Sequence, residues 1–469
     1  MPEARASEPP SLSSTILQAV RGTDVDYTTS PVGRAVILLA VPMVVEMAME
    51  SIFAVADVFW VAHLGADAVA TVGLTESMLT IIYTAAMGLS IGATALVARR
   101  TGEHDAEGAA HAAGQSILIG LAVAAAIGLL AAPNAPALLR MMGATDQVVS
   151  SGGLFTRLML GGNVTVLLLF LLNAVFRGAG DAAIAMRVLI LGNVLNIVLG
   201  PCFIFGLGPF PQLGVAGAAV ATNLGRGTAV IYQLYTLTSG RGRVRLERRH
   251  FSVDLGAMRT MLRLSGLGTF QILIGTASYI GLVRIVSAFG SAALAGYTIG
   301  FRLIIFALLP AFGISNAAAT MVGQNLGAGR PDRAETAVWT AGLYNMVFLG
   351  LIGAVFLGAA PLITSFFTTD PLVQPHAVRC LRIVSLGFVF YAYGMVLTSA
   401  FNGAGDTWTP TVINLFVFWL FEIPLAWFLA HRGGFGPTGV FTAMTIAYSL
   451  LAVVSFILFR RGAWKTRKV

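Results

Sequence analysis

The 469-residue chain is 57% hydrophobic and only 11% charged, with a net charge of +8 and a mean hydropathy of +0.82. A soluble protein carries about 25% charged residues, so this composition excludes an ordinary soluble globular protein. The only lysines, Lys465 and Lys468, lie in the C-terminal tail. A phosphate-binding Walker loop needs a lysine after a glycine-rich turn, so an ATP-driven pump is excluded as well.

Twelve apolar segments are each long enough to cross a bilayer, which takes about 20 residues. In chain order they lie at 35–62, 70–98, 109–132, 150–175, 183–206, 213–237, 258–288, 293–323, 336–360, 378–400, 408–430 and 437–459. The preceding polar segment lacks the apolar core of a cleavable signal, and Ser30-Pro31 is typical of a helix start. We therefore predict an all-α membrane protein with twelve transmembrane helices.

The basic residues predict that both termini are cytoplasmic. On that topology 21 of the 29 basic residues lie on the side of the termini, and only Arg140, Arg379 and Arg432 lie on the other side. Lys and Arg accumulate in cytoplasmic loops of membrane proteins. The positive charge thus indicates a multi-pass protein of the cell inner membrane whose partner is the lipid bilayer, and not a nucleic acid.

The chain repeats itself at one constant offset. The segment Phe176–Asp181 recurs as Phe401–Asp406, and the same offset relates several glycines: Gly65, Gly88 and Gly102 to Gly290, Gly313 and Gly327. This predicts the following division: a polar N-terminal segment 1–34, a first lobe 35–238 of six helices, a basic linker 239–257, a second six-helix lobe 258–460 and a basic tail 461–469. Because six is even, both lobes enter the membrane from one side. We expect a parallel repeat about the membrane normal, with a cavity between the lobes.

Three acids lie in the first span, where each costs on the order of 2.5–3.5 kcal/mol to insert. Glu46, Glu50 and Asp57 share one helical face because their spacings are 4 and 7 residues. We predict that Asp57 takes up and releases a coupling cation. Glu50 fits an ion-coupling and a structural role equally well. For Glu46 a structural role is favoured, with a place in the substrate cavity as the alternative.

Polar residues in the fourth to sixth spans are candidate partners of Asp57. Asn173, Asn196 and Thr222 interrupt otherwise apolar helices, and hydrogen bonding between helices is the default role for each taken singly. Pro42 removes a backbone hydrogen bond from the first span. It therefore predicts a bend, either static or linked to protonation.

The second lobe offers its own candidates for the cavity. Gln271 and Tyr297 are polar groups within spans, and Arg284 and Arg302 could bind anionic groups or extend to the membrane surface. Glu422, followed by a proline, repeats the acid-plus-proline pattern of the first span. The histidines and cysteines do not have the spacing of a metal site. The sequence also shows no nucleophile paired with a base, so we do not expect an enzyme.

Four features together carry a resemblance to a known family: Pro42, the DVFWV segment Asp57–Val61, the repeated Arg/Asn-Gly-Ala-Gly-Asp boxes and Gly323–Gly329. On these the chain resembles the MATE family, in its bacterial DinF-like branch, from about residue 35 to 460. The resemblance implies two six-helix lobes around a V-shaped cavity. It implies export of small organic, often cationic, compounds in exchange for H⁺ or Na⁺ by alternating access, without another cofactor. We expect a monomer.

The resemblance assigns ion coupling to Asp57, with Asn196 and Thr222 as its polar partners. Where the family usually has a second aspartate, this chain has Gly200. We hypothesise that Glu50 substitutes for it. An acid expected in the second lobe is also missing at Gln271, so H⁺ is favoured over Na⁺.

Within transport, the alternative function is a flippase for a lipid-linked precursor. It would need arginines that face the cavity, and Arg284 and Arg302 are the candidates for that role.

Overall fold

The computed structural model describes residues 11–467, apart from the side chains of residues 54–58, and the described chain contains helices and no strand. A short helix, α1 (Leu12–Arg21), precedes the bundle. The first lobe consists of α2 (Val32–Ala62), α3 (Ala66–Gly102), α4 (Ala106–Ala131), α5 (Ala135–Met141), α6 (Asp146–Gly161), α7 (Asn163–Ala179), α8 (Ala182–Phe205) and α9 (Val215–Ser239). The second lobe consists of α10 (Leu255–Ser287), α11 (Ser291–Gly327), α12 (Pro331–Ser365), α13 (Gln374–Ser385), α14 (Phe388–Gly403), α15 (Trp408–Asn414), α16 (Ile423–Trp427) and α17 (Pro437–Arg460).

The helices form twelve membrane spans. Ten helical segments of the described chain are long and apolar enough to cross a bilayer by themselves, and α13 with α14 makes an eleventh span, bent by 58°. Helix α9 is the twelfth. Its 25 residues reach about 37 Å at ~1.5 Å per residue, more than the ~30 Å of a bilayer core. The predicted all-α fold with twelve transmembrane helices is confirmed.

The internal repeat is visible in the helix boundaries. Helices α3 and α11 both have 37 residues and begin at positions 66 and 291, which are separated by the same offset as Phe176 and Phe401. Each follows a glycine of positive φ, 101° at Gly65 and 98° at Gly290. Both glycines adopt a conformation that L side chains rarely tolerate, which explains why glycine occurs at both positions.

The repeated Arg/Asn-Gly-Ala-Gly-Asp boxes are helix C-terminal caps. Gly180 and Gly405 have φ values of 91° and 81°. The backbone N–H of the aspartate after each glycine donates to a carbonyl oxygen five residues earlier, at 2.8 Å in the first lobe and 2.9 Å in the second. This is the turn in which a left-handed glycine ends a helix.

The two lobes pack backbone against backbone at glycines related by the repeat. A Cβ atom on Gly88 of α3 would lie 2.6 Å from the Cα of Thr269 in α10, and one on Gly313 of α11 would lie 2.6 Å from the carbonyl carbon of Met43 in α2. Glycine permits such close approach of membrane helices. The contact of α3 with α10 is thus repeated by α11 with α2, as a pseudo-twofold relation between the lobes requires.

Hydrogen bonds between the helices of the two lobes cluster in one half of the bundle. Ser265 donates to the carbonyl of Leu89 at 3.5 Å, Thr320 to that of Arg177 at 3.2 Å and Gln324 to that of Gly178 at 2.8 Å. This half contains both ends of the described chain and the linker, and we call it the termini half. Among the described residues, the opposite half has no hydrogen bond between lobe helices.

A segment before α2, residues 22–31, crosses the termini half, and we call it the strap. On the first-lobe side, Arg243 of the linker donates to two strap carbonyl oxygens at 2.9 and 2.8 Å. The buried Tyr27 hydroxyl donates to the carbonyl of Gly180 at 3.2 Å. Burial raises the pKa of Tyr27 to about 12, so the phenol keeps its proton and remains a donor.

Two arginines of the second lobe hold the same strap. Arg330 donates to the carbonyl of Thr28 at 2.8 Å, and Arg333 donates to the carbonyls of Tyr27 and Ser30. The strap therefore joins the two lobes across the termini half.

We expect the double variant Arg330→Ala/Arg333→Ala to loosen the strap without unfolding the bundle. Each hydrogen bond from a charged donor contributes on the order of 1.5–3 kcal/mol, so local opening should become at least about tenfold more frequent. Amide hydrogen exchange of residues 22–31 measures this. Arg432→Ala, at an exposed site in the opposite half, is the control, and equal exchange in both variants would contradict the role of the strap.

Candidate functional site

Glu46 lies at the centre of a buried polar cluster in the first lobe. Its side chain is 1% exposed, and its Oε1 accepts hydrogen bonds from Arg177 Nη1 at 2.6 Å and Asn173 Nδ2 at 2.9 Å. Gln233 of α9 donates in turn to Asn173 Oδ1 at 2.6 Å. A buried charge needs an opposite charge and hydrogen bonds, and this cluster supplies both.

The cluster fits the structural role favoured for Glu46, because Arg177 and Asn173 both donate to its carboxylate. Asn173 donates to Glu46 through its amide nitrogen and accepts from Gln233 through its amide oxygen. Its pairing with Asp57 stays a prediction, because the side chain of Asp57 lies outside the described residues. Arg177 reaches Glu46 because α7 extends to Ala179, so Arg177 is part of the membrane helix and lies one turn beyond Asn173 on the same face.

Arg177 was missed as the partner of Glu46, although the repeat contains the signal. At the repeat offset, Glu46 corresponds to Gln271 and Arg177 to Asn402. The acid and the base of the first lobe are thus both amides in the second. Gln271 Oε1 and Asn402 Oδ1 are buried without a hydrogen-bond partner among the described residues. A joint replacement of this kind indicates that the two positions depend on each other.

Glu50, one turn further along α2, has a different environment. Its Oε1 lies 3.9 Å from Arg226 Nη2, and its side chain is 24% exposed, against 7% for Arg226. Arg226 Nη2 also donates to the Tyr83 hydroxyl at 3.0 Å, and the guanidinium lies 4.7 Å from the ring centre of Phe53. Glu50 is therefore a loosely paired acid whose side chain is partly exposed.

Arg226 is the central cation of this second cluster. It belongs to α9, and its Nη1 is buried without a hydrogen-bond partner among the described residues. Glu76 of α3 also acts electrostatically on both Arg226 and Tyr83. Arg226 is not among the residues predicted for the site, although it lies within the apolar segment 213–237. An arginine inside a membrane helix needs an acidic partner. The acids predicted in the first span, now α2, were the candidates for that partner.

The structure brings Asn196 and Thr222 together, with Asn196 Nδ2 donating to Thr222 Oγ1 at 2.9 Å. A Cβ atom on Gly200 would lie 3.5 Å from Trp60 of α2, so this position faces the end of the first span. The side chain of Asp57 lies outside the described residues, and its coupling role stays a prediction. Pro42 lies inside the unbroken helix α2.

The second-lobe candidates do not converge on one site. Tyr297 is fully buried and stacks on Phe441, with ring centres 6.1 Å apart, so in this structure its ring lies in the core of the lobe. The ring of Tyr297 is buried because it packs against other aromatic rings in the core of the lobe. Arg284 and Arg302 are exposed, and neither forms an ion pair with a described residue. Among all residues that the structure describes, no group of three or more His, Cys, Asp or Glu side chains could hold a metal ion.

Comparison with known proteins matches this architecture. The MatE family model matches residues 42–202 and 269–428, so the second match begins close to the position that the repeat relates to the start of the first. The chain is 26% identical over 440 residues to the probable multidrug resistance protein NorM of Thermotoga maritima, covering 93% of this chain and 94% of the relative. It is 25% identical over 437 residues to the FAD transporter of Shewanella oneidensis, covering 92% and 95%.

Solved structures agree over nearly the whole chain. The outward-facing conformation of a multidrug resistance MATE family transporter superposes with a TM-score of 0.87 at 27% identity, covering 96% of this chain and 99% of the other. A MOP superfamily transporter from Pyrococcus furiosus, described as having a binding pocket of reverse polarity, gives a TM-score of 0.86 at the same identity and coverage. The chain is a membrane transporter and belongs to the MatE family.

Proposed function

We propose that this transporter exports small organic cations in exchange for protons, by alternating access of its two lobes. The observation that carries the proposal is the Glu50–Arg226 pair. Of the two acids described in α2, Glu46 accepts two short hydrogen bonds and is 1% exposed, whereas Glu50 is 24% exposed and lies 3.9 Å from its cation. Of these two described acids, Glu50 is the one that combines partial exposure with the loose pairing that an exchanging group needs.

A proton on Glu50 would remove its attraction to Arg226. The guanidinium would stay in place through its hydrogen bond to Tyr83 of α3. Its remaining contact with α2 would be the weaker one with the ring of Phe53. Helix α2 could then shift relative to α9. Since α2 also contacts the second lobe where Gly313 meets Met43, the shift would reach the lobe interface. This links ion binding to the relative position of the lobes.

The neighbouring cation favours H⁺ over Na⁺ as the coupling ion. A sodium ion at Glu50 would lie close to the positive charge of Arg226 and be repelled by it, whereas a proton binds directly to the carboxylate oxygen. We further propose that the chain lies in the inner membrane with both termini cytoplasmic, and that it acts as a monomer. The flippase is not favoured, since Arg284 and Arg302 are exposed and form no ion pair with a described residue.

Purified protein in liposomes tests both ion and substrate. We expect a proton gradient alone to drive uptake of a fluorescent organic cation such as ethidium, and a sodium gradient alone not to. Because a relative is named an FAD transporter, FAD is the anionic probe. Uptake driven by sodium alone would overturn the choice of ion, and uptake of FAD without ethidium would overturn the choice of substrate.

We expect Glu50→Gln to reduce proton-driven uptake to background, because an amide cannot take up a proton at this site. Asp57→Asn should do the same if the role implied by the family resemblance holds. Glu103→Gln is the matched control, since Glu103 forms an exposed ion pair with Arg100 at the termini end of α3. Normal uptake by the Glu50 variant would remove this residue from the mechanism.

A further inference from the structure

A third acid lies buried in the second lobe, where the proposed function does not use it. Glu422 lies about halfway along the span 408–432, as the last residue of the π-helical segment Leu415–Glu422 and directly before α16. It is 2% exposed and forms no ion pair with a described residue. An ionised carboxylate in such a place is costly unless a cation or several donors compensate it.

Its hydrogen bonding indicates which protonation state fits. Ser278 Oγ of α10 lies 3.0 Å from Glu422 Oε2 and 3.1 Å from the carbonyl oxygen of Phe418. A hydroxyl has one proton, so with ionised Glu422 it can serve only one of these two acceptors. If Glu422 is protonated, it donates to Ser278 Oγ, and Ser278 donates to Phe418. Every proton then has an acceptor, and both short distances are explained.

The other titratable groups around Glu422 are neutral in their ordinary state. They are tyrosines from three neighbouring helices: Tyr297 of α11, Tyr391 of α14 and Tyr448 of α17. Tyr391 and Tyr448 stack on each other with ring centres 4.0 Å apart. No lysine, arginine or histidine of the described chain pairs with the carboxyl.

The backbone around Glu422 offers a route for exchange. The eight residues of the segment Leu415–Glu422 are π-helical, and π turns inside α-helices are frequent at functional sites. Pro424 removes a backbone donor just after the acid. Conversion of a π turn to an α turn would rotate Glu422 by about 100° around the helix axis, away from Ser278.

We propose that Glu422 is a proton-binding site of the second lobe, with Ser278 as the acceptor of its proton, and that this proton is exchanged during transport. The exchange rests on the proposed proton coupling, whereas the binding of the proton does not. In this proposal, the exchangeable acid of the first lobe is Glu50 on α2. That of the second lobe is Glu422, on the eleventh span of the chain. The two sites are not related by the repeat, since the position equivalent to Glu422 in the first lobe is Ile197.

Infrared spectroscopy of the purified transporter in lipid tests the binding directly. We expect a carbonyl-stretch band of a protonated carboxylic acid at neutral pH that disappears in Glu422→Gln. In Ser278→Ala the band should remain but shift to higher frequency, because the carboxyl loses its hydrogen-bond acceptor. Glu50→Gln should leave it unchanged. If Glu422→Gln removes no band, or Ser278→Ala leaves the band in place without a shift, the site is wrong.

Transport by the same variants tests the exchange. Glu422→Gln should reduce the number of protons moved per organic cation in liposomes, with Glu103→Gln as the control. An unchanged proton number with a confirmed infrared band would overturn the exchange and leave a structural proton. If the wild-type protein shows no proton-driven uptake, the proposed function fails, and the infrared result still decides the protonation of Glu422 by itself.

Discussion

Arg177→Met is expected to lower the free energy of unfolding by about 3–5 kcal/mol, because it leaves a buried acid without its cation. Glu46 is 1% exposed and Arg177 Nη1 lies 2.6 Å from it. Asn173 alone would then face the carboxylate with one N–H. Thermal or denaturant unfolding of the detergent-solubilised protein measures the loss. Arg157→Met is the control, since Arg157 lies in the same span at an exposed position.

The repeat supplies a compensating variant. The double variant Glu46→Gln/Arg177→Asn gives the first lobe the amide pair that the second lobe already carries at Gln271 and Asn402. Removing both charges together avoids an isolated buried ion, so most of the stability should return. If Arg177→Met is as stable as the Arg157 control, or if the double variant is less stable than Arg177→Met, the ion pair does not have the role described.

Gly88→Val is expected to separate the lobes in the termini half while each lobe stays folded. A Cβ atom on Gly88 would lie 2.6 Å from the Cα of Thr269 in the other lobe, so the two helices must move apart. Overpacking of this kind costs about 1–3 kcal/mol, which shifts an equilibrium between two lobe arrangements about 5- to 150-fold. Gly313→Val, the equivalent change in α11, should have the same effect.

Labelling of an introduced cysteine measures this separation. Thr320 is fully buried and donates to the carbonyl of Arg177 across the interface, so Thr320→Cys reports on opening to a water-soluble maleimide. Gly73→Val is the control on the same helix, because a Cβ atom there would meet nothing within 4 Å. Equal labelling with Gly88→Val and Gly73→Val would mean that this glycine contact does not hold the lobes together.

The spans, the repeat and the family could be predicted from the sequence because they depend on local or linear properties. A run of apolar residues crosses a bilayer whatever its neighbours are, and a constant offset between matching segments is visible without coordinates. The glycines at 65 and 290 were found in the same way, and the structure supplies the reason in their positive φ values. The acids of α2 stood out because charge inside a membrane span is rare.

Partners could not be predicted, because the helix that faces each acid depends on how twelve helices pack. Arg177 was placed outside its span, since hydropathy alone ends a helix at its last apolar residue, whereas α7 runs on to Ala179. Tyr297 was assigned to the cavity by its hydroxyl, and aromatic stacking buried it. The sequence by itself therefore determined the spans, their pseudo-symmetry and the acids of α2. Only the tertiary structure decided that Glu46 is locked by Arg177 while Glu50 is loosely held by Arg226, because these ion pairs form between residues that lie on different helices and far apart in the chain.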